Sequence, residues 1–249
     1  ECGGAMKHIG VGTQRAEEEL HALFPEAEIL RMDADTVSQG HEKILRDFQV
    51  RRVPILLGTQ MVAKGLDFAN VTLVGVVDGD LSLYADNYRA AERTFSLLTQ
   101  VVGRAGRGEK QGRAVIQTFT PDNDVIRFAA KQDYDNFYAT EIEMRRLRGL
   151  PPFRDVIVLT ASGLDEGAVL RCCMRLRQAM DQALRGSEAQ IFGPAPAAVA
   201  KVNNRYRYRL TLTGRNDRAT RELIAHLLRA AHRDKENRGV SVYADLDPY

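Results

Sequence analysis

Val53-Pro54-Ile55-Leu56-Leu57-Gly58-Thr59-Gln60-Met61-Val62-Ala63-Lys64-Gly65-Leu66-Asp67-Phe68 is an apolar run that stops at a polar, glycine-punctuated turn. Residues 53 to 57 read as a strand with no polar face, the pattern of a parallel sheet covered by helices. Ligand-contacting groups in such sheets sit just beyond the carboxyl ends of the strands. Here Gly58 lets a backbone come close, and Thr59 offers a hydroxyl. Lys64-Gly65-Leu66-Asp67 adds a cation, a flexible joint and a carboxylate. Taken alone, the same Gly-Thr could simply cap the next helix.

On either side of this stretch strands and helices alternate. Strands are predicted at 7–11, 28–32, 53–57, 71–77 and 113–119. Helices are predicted at 14–24, 42–50 and 89–105, with a further helical stretch at 122–148. Strand–helix alternation with apolar strands such as Val71 to Val77 argues for an α/β lobe whose parallel sheet is covered on both faces. Gly149 and the Pro151-Pro152 pair end that lobe, since proline cannot continue a helix.

Within the helix predicted at 89–105 lies Gln100-Val101-Val102-Gly103-Arg104-Ala105-Gly106-Arg107. On a helix Gln100, Gly103, Arg104 and Arg107 share one face. That face offers an amide, two guanidinium forks and a gap for close approach, which suits a polyphosphate and the charge that develops in phosphoryl transfer. A solvated basic helix end is the plainer reading of the arginine spacing by itself.

The last hundred residues read strand 155–162, helix 165–185, strands 196–202 and 206–213, helix 216–233 and strand 239–244. This β-α-β-β-α-β order predicts a small α+β ferredoxin-like domain. In Lys201-Val202-Asn203-Asn204-Arg205-Tyr206-Arg207-Tyr208-Arg209-Leu210, period 2 sets Arg205, Arg207 and Arg209 on one face and the tyrosines on the other. With Lys201 across the turn, they would form a basic stripe for phosphates or for the carboxylates of an acidic peptide. An ordinary sheet with its arginines in water is the alternative. Charge divides accordingly: residues 1–150 carry 19 Lys and Arg against 22 Asp and Glu, net −3, and residues 151–249 carry 16 against 11, net +5.

The 249 residues suit one large or two small domains, with 44% hydrophobic residues. No apolar run reaches the ~18 residues that a membrane helix requires, so no membrane partner is expected. The three cysteines, with Cys172 and Cys173 adjacent, make no disulfide framework and suit a reducing cytosol. The mid-helix pair reads as packing. The five histidines show no metal-ligand spacing, and no serine has the partners for nucleophilic catalysis.

Several of these stretches, in order along the whole chain, carry a family resemblance. Gly10 to Gln14, Arg31-Met32-Asp33-Ala34-Asp35-Thr36, Gly58 to Phe68, Asp78-Gly79-Asp80 and Gln100 to Arg107 are joined by Leu150-Pro151-Pro152-Phe153, Gly193-Pro194-Ala195-Pro196 and Asp245-Leu246-Asp247-Pro248. The chain resembles the primosomal protein N′ (PriA) family, replication-restart DNA helicases of superfamily 2. The Ala63-Lys64-Gly65 and Leu150 to Phe153 elements are more specific than the superfamily motifs, and Leu150 to Phe153 with Gly193 to Pro196 argue against the alternative of another superfamily 2 DNA translocase.

The resemblance implies three parts: the end of a zinc-binding module at 1–12, a RecA-like helicase C-terminal lobe at 13–149, and a DNA- and protein-binding domain at 150–249. Cys2 would be the last ligand of paired zinc sites whose other ligands lie upstream, because one thiolate cannot hold zinc. It also implies ATP with Mg²⁺ between two lobes, 3′-to-5′ unwinding of duplex, and assembly of a primosome at stalled forks. Arg104 and Arg107 would reach the γ-phosphate with Gln100 beside them. Gly65, Asp67 and Gly103 would face the nucleotide, while Thr59, Lys64, Lys201 and Arg207 would meet DNA. Arg205 and Arg209 would take the acidic tail of single-stranded DNA-binding protein. Forked and single-stranded DNA and other primosome proteins are the remaining expected partners, for a monomer in the bacterial cytoplasm near the nucleoid. The sequence contains no G-x-x-x-x-G-K-[ST] and no Asp-Glu box, so this chain by itself is expected to be a binding module that does not hydrolyse ATP.

Overall fold

The computed structural model describes residues 12–33, 40–59, 71–105 and 112–247. The chain divides into two compact units, 1–139 and 140–249. In the first, α1 (Thr13–Leu23), β1 (Ile29–Met32), α2 (His41–Val50) and β2 (Ile55–Gly58) form a β-α-β arrangement in which β1 and β2 pair in parallel, Ile29 opposite Ile55. A second parallel pair joins β3 (Leu73–Val76) to β4 (Arg113–Ile116) around α3 (Ala90–Val102). The parallel α/β pattern is as the sequence predicted. The strand expected at 7–11 lies outside the described residues.

Two expectations for this unit change. The helical stretch 122–148 is two helices, α4 (Asp124–Lys131) and α5 (Tyr134–Arg148). The Asn123 side chain caps α4 at its start, and Gln132 ends it in the left-handed conformation, φ 55°. Cover on both faces also fails for the β3–β4 pair. Val76 and Ile116 pack toward Phe95, Leu98, Ile126 and Ala129, but Leu73 and Val77 on the other side are 62% and 58% exposed. The α3–α4 layer covers only one side of these strands.

The division into units falls inside α5, earlier in the chain than Gly149. The first turns of α5 carry Phe137, which stacks on Phe95 at 4.1 Å and belongs to the first core. Its last turns pair Arg145 with Glu141 at 2.7 Å and set Arg146 over the Phe153 ring.

The second unit contains β5 (Asp155–Gly163), α6 (Glu166–Ala183), β6 (Gln190–Val202), β7 (Arg205–Gly214), α7 (Arg218–Arg233) and β8 (Val240–Leu246). The sheet order is β6-β7-β5-β8, antiparallel throughout, which is the ferredoxin-like topology the element order predicted. Both helices cover one sheet face: Ile157, Leu159, Leu210 and Leu212 pack with Cys172, Leu176, Met180, Ile224 and Leu227. Cys173 is buried as well, and burial pushes its thiol up to about 12. Asp165 and Asp217 cap α6 and α7 by accepting from Ala168 and Thr220 amides.

β6 begins six positions before the predicted start, at Gln190 rather than 196. Its Gly193-Pro194 and Pro196 argue against a strand interior, but β6 is an edge strand with register shifts at those points, where proline is tolerated. Gly193 has φ +94°, and a Cβ there would lie 2.6 Å from the Arg209 carbonyl oxygen, so only glycine lets β6 run this close to β7. Asn203 and Asn204, both left-handed at φ 48° and 61°, make the two-residue hairpin into β7.

Candidate functional site

The first set of candidates belongs to the α/β unit. Thr59 is exposed directly after β2. One strand away, Asp33 follows β1 and is buried. It accepts a 2.6 Å hydrogen bond from the Thr13 hydroxyl and pairs with Arg31 at 3.0 Å, which ties the start of α1 to the end of β1. Lys64, Gly65, Asp67, Arg107 and Cys2 lie outside the described residues.

α3 stops at Val102, short of the predicted 105, so the shared helical face expected for Gln100, Gly103, Arg104 and Arg107 is not continued. Gly103 is the C-cap, and the amides of Arg104 and Ala105 bond back three residues to Val101 and Val102 in a tightened turn. Gln100 is exposed on the last turn. Arg104 is half-buried with its Nε enclosed, so its guanidinium is held by its surroundings. The close approach that Gly103 permits is made by Gln132: a Cβ on Gly103 would lie 3.0 Å from Gln132 Nε2, which donates to the Thr99 carbonyl at 3.3 Å.

Asp78-Gly79-Asp80, one of the stretches that carry the family resemblance, divides in two. Asp78 turns the chain at φ 58°. Asp80 is buried and accepts from Thr118 Oγ1 at 2.9 Å, the Phe119 amide at 2.7 Å and the Thr120 hydroxyl, so it fixes the turn after β4. Burial acts to raise its pKa, but the Thr120, Phe119 and Thr118 bonds together outweigh it and hold the carboxyl below the ordinary aspartate value. Sequence reasoning passed over this role, because its only signal is the threonine pair flanking Phe119.

The second set lies on the antiparallel sheet. Arg205, Arg207 and Arg209 alternate with Tyr206 and Tyr208, and Leu210 continues the helix-packed side. The arginines therefore stand on the face opposite α6 and α7. Across the sheet on their side lie Ser162, Thr160, Ser241 and Tyr243. Arg205 donates to the Ser162 carbonyl at 2.9 Å, to its hydroxyl at 3.3 Å and to Ser241 Oγ at 3.2 Å. Arg207 donates to Tyr243 Oη at 3.2 Å. Neutral partners orient these guanidinium groups without cancelling their charge, which suits an incoming anion.

Lys201 does not join them. It is the cross-strand partner of Tyr206, and its ammonium sits 4.5 Å over that ring and donates to the phenol oxygen at 3.4 Å. It occupies the other face, because the two-residue turn at Asn203-Asn204 pairs Val202 with Arg205 and Lys201 with Tyr206.

Among the described residues no group of three or more His, Cys, Asp or Glu could hold a metal ion, so their donor set does not fit zinc. No described helix is long and apolar enough to cross a membrane.

Residues 9–109 match the helicase conserved C-terminal domain, and residues 146–249 match the primosomal protein N C-terminal domain. The chain is 40% identical over 254 residues to replication restart protein PriA of Bacillus subtilis, an alignment that covers all of this chain and 31% of that protein. It is 40% identical over 213 residues to the PriA of Synechocystis, covering 84% of this chain and 26% of that one. Against Chlamydia trachomatis PriA the identity is 36% over 252 residues, with 100% and 33% covered. The chain thus spans about a third of the length of these curated relatives.

Proposed function

This chain belongs to the PriA family of replication restart proteins, and from that premise we propose that it forms the second motor lobe and C-terminal domain of an ATP-dependent DNA helicase. Its substrate is forked DNA at stalled replication forks, unwound 3′ to 5′, and its product is a fork ready for primosome assembly in the cytosol. The observation that carries the motor reading lies within the helicase-matched residues 9–109. Gln100 stands on the last turn of α3, and Arg104 is held half-buried in the turn beyond it.

A restrained guanidinium with a neighbouring amide fits the donor set a polyphosphate needs. ATP with Mg²⁺, when bound, supplies the phosphoryl group and a metal to share its charge. This chain's part is to hold developing negative charge at Arg104 and Arg107, with Gln100 beside them, and to present Gly65 and Asp67 toward the same ligand. Thr59, the residue after β2, and Lys64 meet the tracked DNA strand. Arginine fingers of this kind contribute on the order of 10³- to 10⁵-fold in rate. In a protein that also carries the first lobe, Arg104→Ala should abolish ATP turnover while nucleotide binding persists. Retained turnover refutes the role.

A second reading rests on a separate observation, the arginine triplet on the sheet face away from α6 and α7. In this reading the C-terminal domain holds an acidic peptide, such as the tail of single-stranded DNA-binding protein, at Arg205 and Arg209, with Arg207 available to DNA. An acidic, Phe-ending peptide titrated against the chain should lose at least about tenfold in affinity with Arg205→Ala or Arg209→Ala. Unchanged affinity removes the peptide from this face.

A further inference from the structure

The second unit has another basic surface, on the side away from the arginine triplet. α7 buries Ile224, Leu227 and Ala231 against the sheet. Its remaining length exposes Arg218, Arg221, Arg229 and Arg233. Helical geometry sets Arg218, Arg229 and Arg233 within a narrow outward sector, with Arg221 on its flank. Glu222 is the carboxylate on that sector, and it is paired with Arg218 at 2.7 Å. The acids that follow the helix are turned elsewhere, with Asp234 and Glu236 pairing Arg175 of α6 at 3.6 and 2.9 Å. Among the described residues, no hydrogen bond or ion pair engages Arg221, Arg229 or Arg233.

We infer that the outward face of α7 is a second anion surface, built to lie along the phosphate backbone of duplex DNA. Arg218 to Arg233 extends about 22 Å along a rigid helix, the axial length of roughly six nucleotides of one strand. A backbone with regularly spaced charge is met by regularly spaced, permanently charged forks. The same face lacks what a peptide needs. No large exposed hydrophobic residue belongs to α7, so a peptide finds charge there but no apolar anchor. The arginine face of the sheet differs, since Tyr243 and Phe192 are exposed on it beside the arginines. One small domain therefore carries two basic surfaces on opposite sides, and it can hold duplex on α7 while the sheet face holds another anion. This deepens the reading above and rests on it only for the acidic peptide on the sheet face.

The test uses the 249-residue chain, a fluorescent mixed-sequence duplex DNA and the acidic peptide as separate probes. In the variant R221A/R229A/R233A, duplex affinity should fall by about tenfold or more, and the slope of log affinity against log salt should become shallower by about two to three. Peptide affinity should stay unchanged. Unaltered duplex affinity and salt slope overturn the proposal, and so does a loss of peptide binding in place of duplex binding. Arg229→Glu alone should give the same direction with an unchanged melting temperature, so a folding defect in the triple variant cannot pass as support. A parent chain that binds no duplex sinks the DNA reading as a whole, whereas duplex binding undiminished in the variants sinks only the assignment to α7.

Discussion

Asp80 shows how much one residue can hold. Its carboxylate takes three donors from Thr118, Phe119 and Thr120, all within the turn that follows β4. Asp80→Ala leaves those donors without an acceptor and should destabilise the first unit by about 2–3 kcal/mol. The folded-state pKa is depressed, so the native state binds fewer protons than the unfolded chain. This contribution is complete above the ordinary aspartate value, about 3.9, and is lost as pH falls through the lower folded value. The melting-temperature gap between the parent and Asp80→Asn should therefore be full at neutral pH and close below about pH 4. A gap independent of pH would mean that the carboxylate is not the stabilising species. Gly103 gives a second case at this scale. An alanine there would push on Gln132 Nε2 at 3.0 Å and the Thr99 carbonyl at 3.2 Å, whereas Gln132→Ala removes the first of these neighbours. The double variant should be more stable than the two single costs predict when summed, by about 0.5 kcal/mol or more in urea unfolding.

Among the elements, β6 and β7 separate what the sequence reveals from what it hides. The Arg–Tyr alternation of β7 has period 2 with no interruption, so the face taken by each arginine was legible in the order of residues alone. The face of Lys201 follows from counting residues across the two-residue hairpin, which sets it opposite Tyr206. What the order of residues hides is the pairing of the earlier part of β6, which shifts register twice near Gly193-Pro194 and Pro196. Turn count across a hairpin carries no information about bulges further back along the strand. α3 was misjudged by a few residues for a related reason: Gly103 permits a helix but also permits the contact with Gln132 that ends it. The positions of Gln100 and Arg104 near the end of α3 were readable, whereas their supposed common face was not. Gly193 tests this view of β6. Gly193→Ala combines a left-handed φ with a backbone collision at 2.6 Å, and it should cost about 1–3 kcal/mol or more. Because the collision is with the Arg209 carbonyl, anion binding at Arg209 should weaken together with stability. Full binding with the expected destabilisation would place the anion elsewhere along the stripe.

At the scale of the whole molecule, each unit has a hydrophobic core of its own. Phe95, Leu98, Ile126, Ala129 and Phe137 belong to 1–139, while Leu159, Leu210, Leu212, Met180 and Leu227 belong to 140–249. Formal charge divides along similar lines, with net −3 over 1–150 and +5 over 151–249. That asymmetry was visible in composition and pointed to the half that carries both arginine surfaces. The division at 139/140 was not visible, because α5 is a continuous helix and nothing in its sequence marks the change. Separate cores imply separate cooperative transitions. Leu98 and Leu159 are each 1% exposed, and truncating either to alanine removes the same side chain from a closed environment, at a cost of about 2–5 kcal/mol. In urea unfolding followed by hydrogen exchange, Leu98→Ala should lower only the transition that reports residues of α3 and α4. Leu159→Ala should lower only the one that reports β5 and β7. If both substitutions shift a single shared transition by similar amounts, the chain folds as one body through α5, and the two-core account of its stability is wrong.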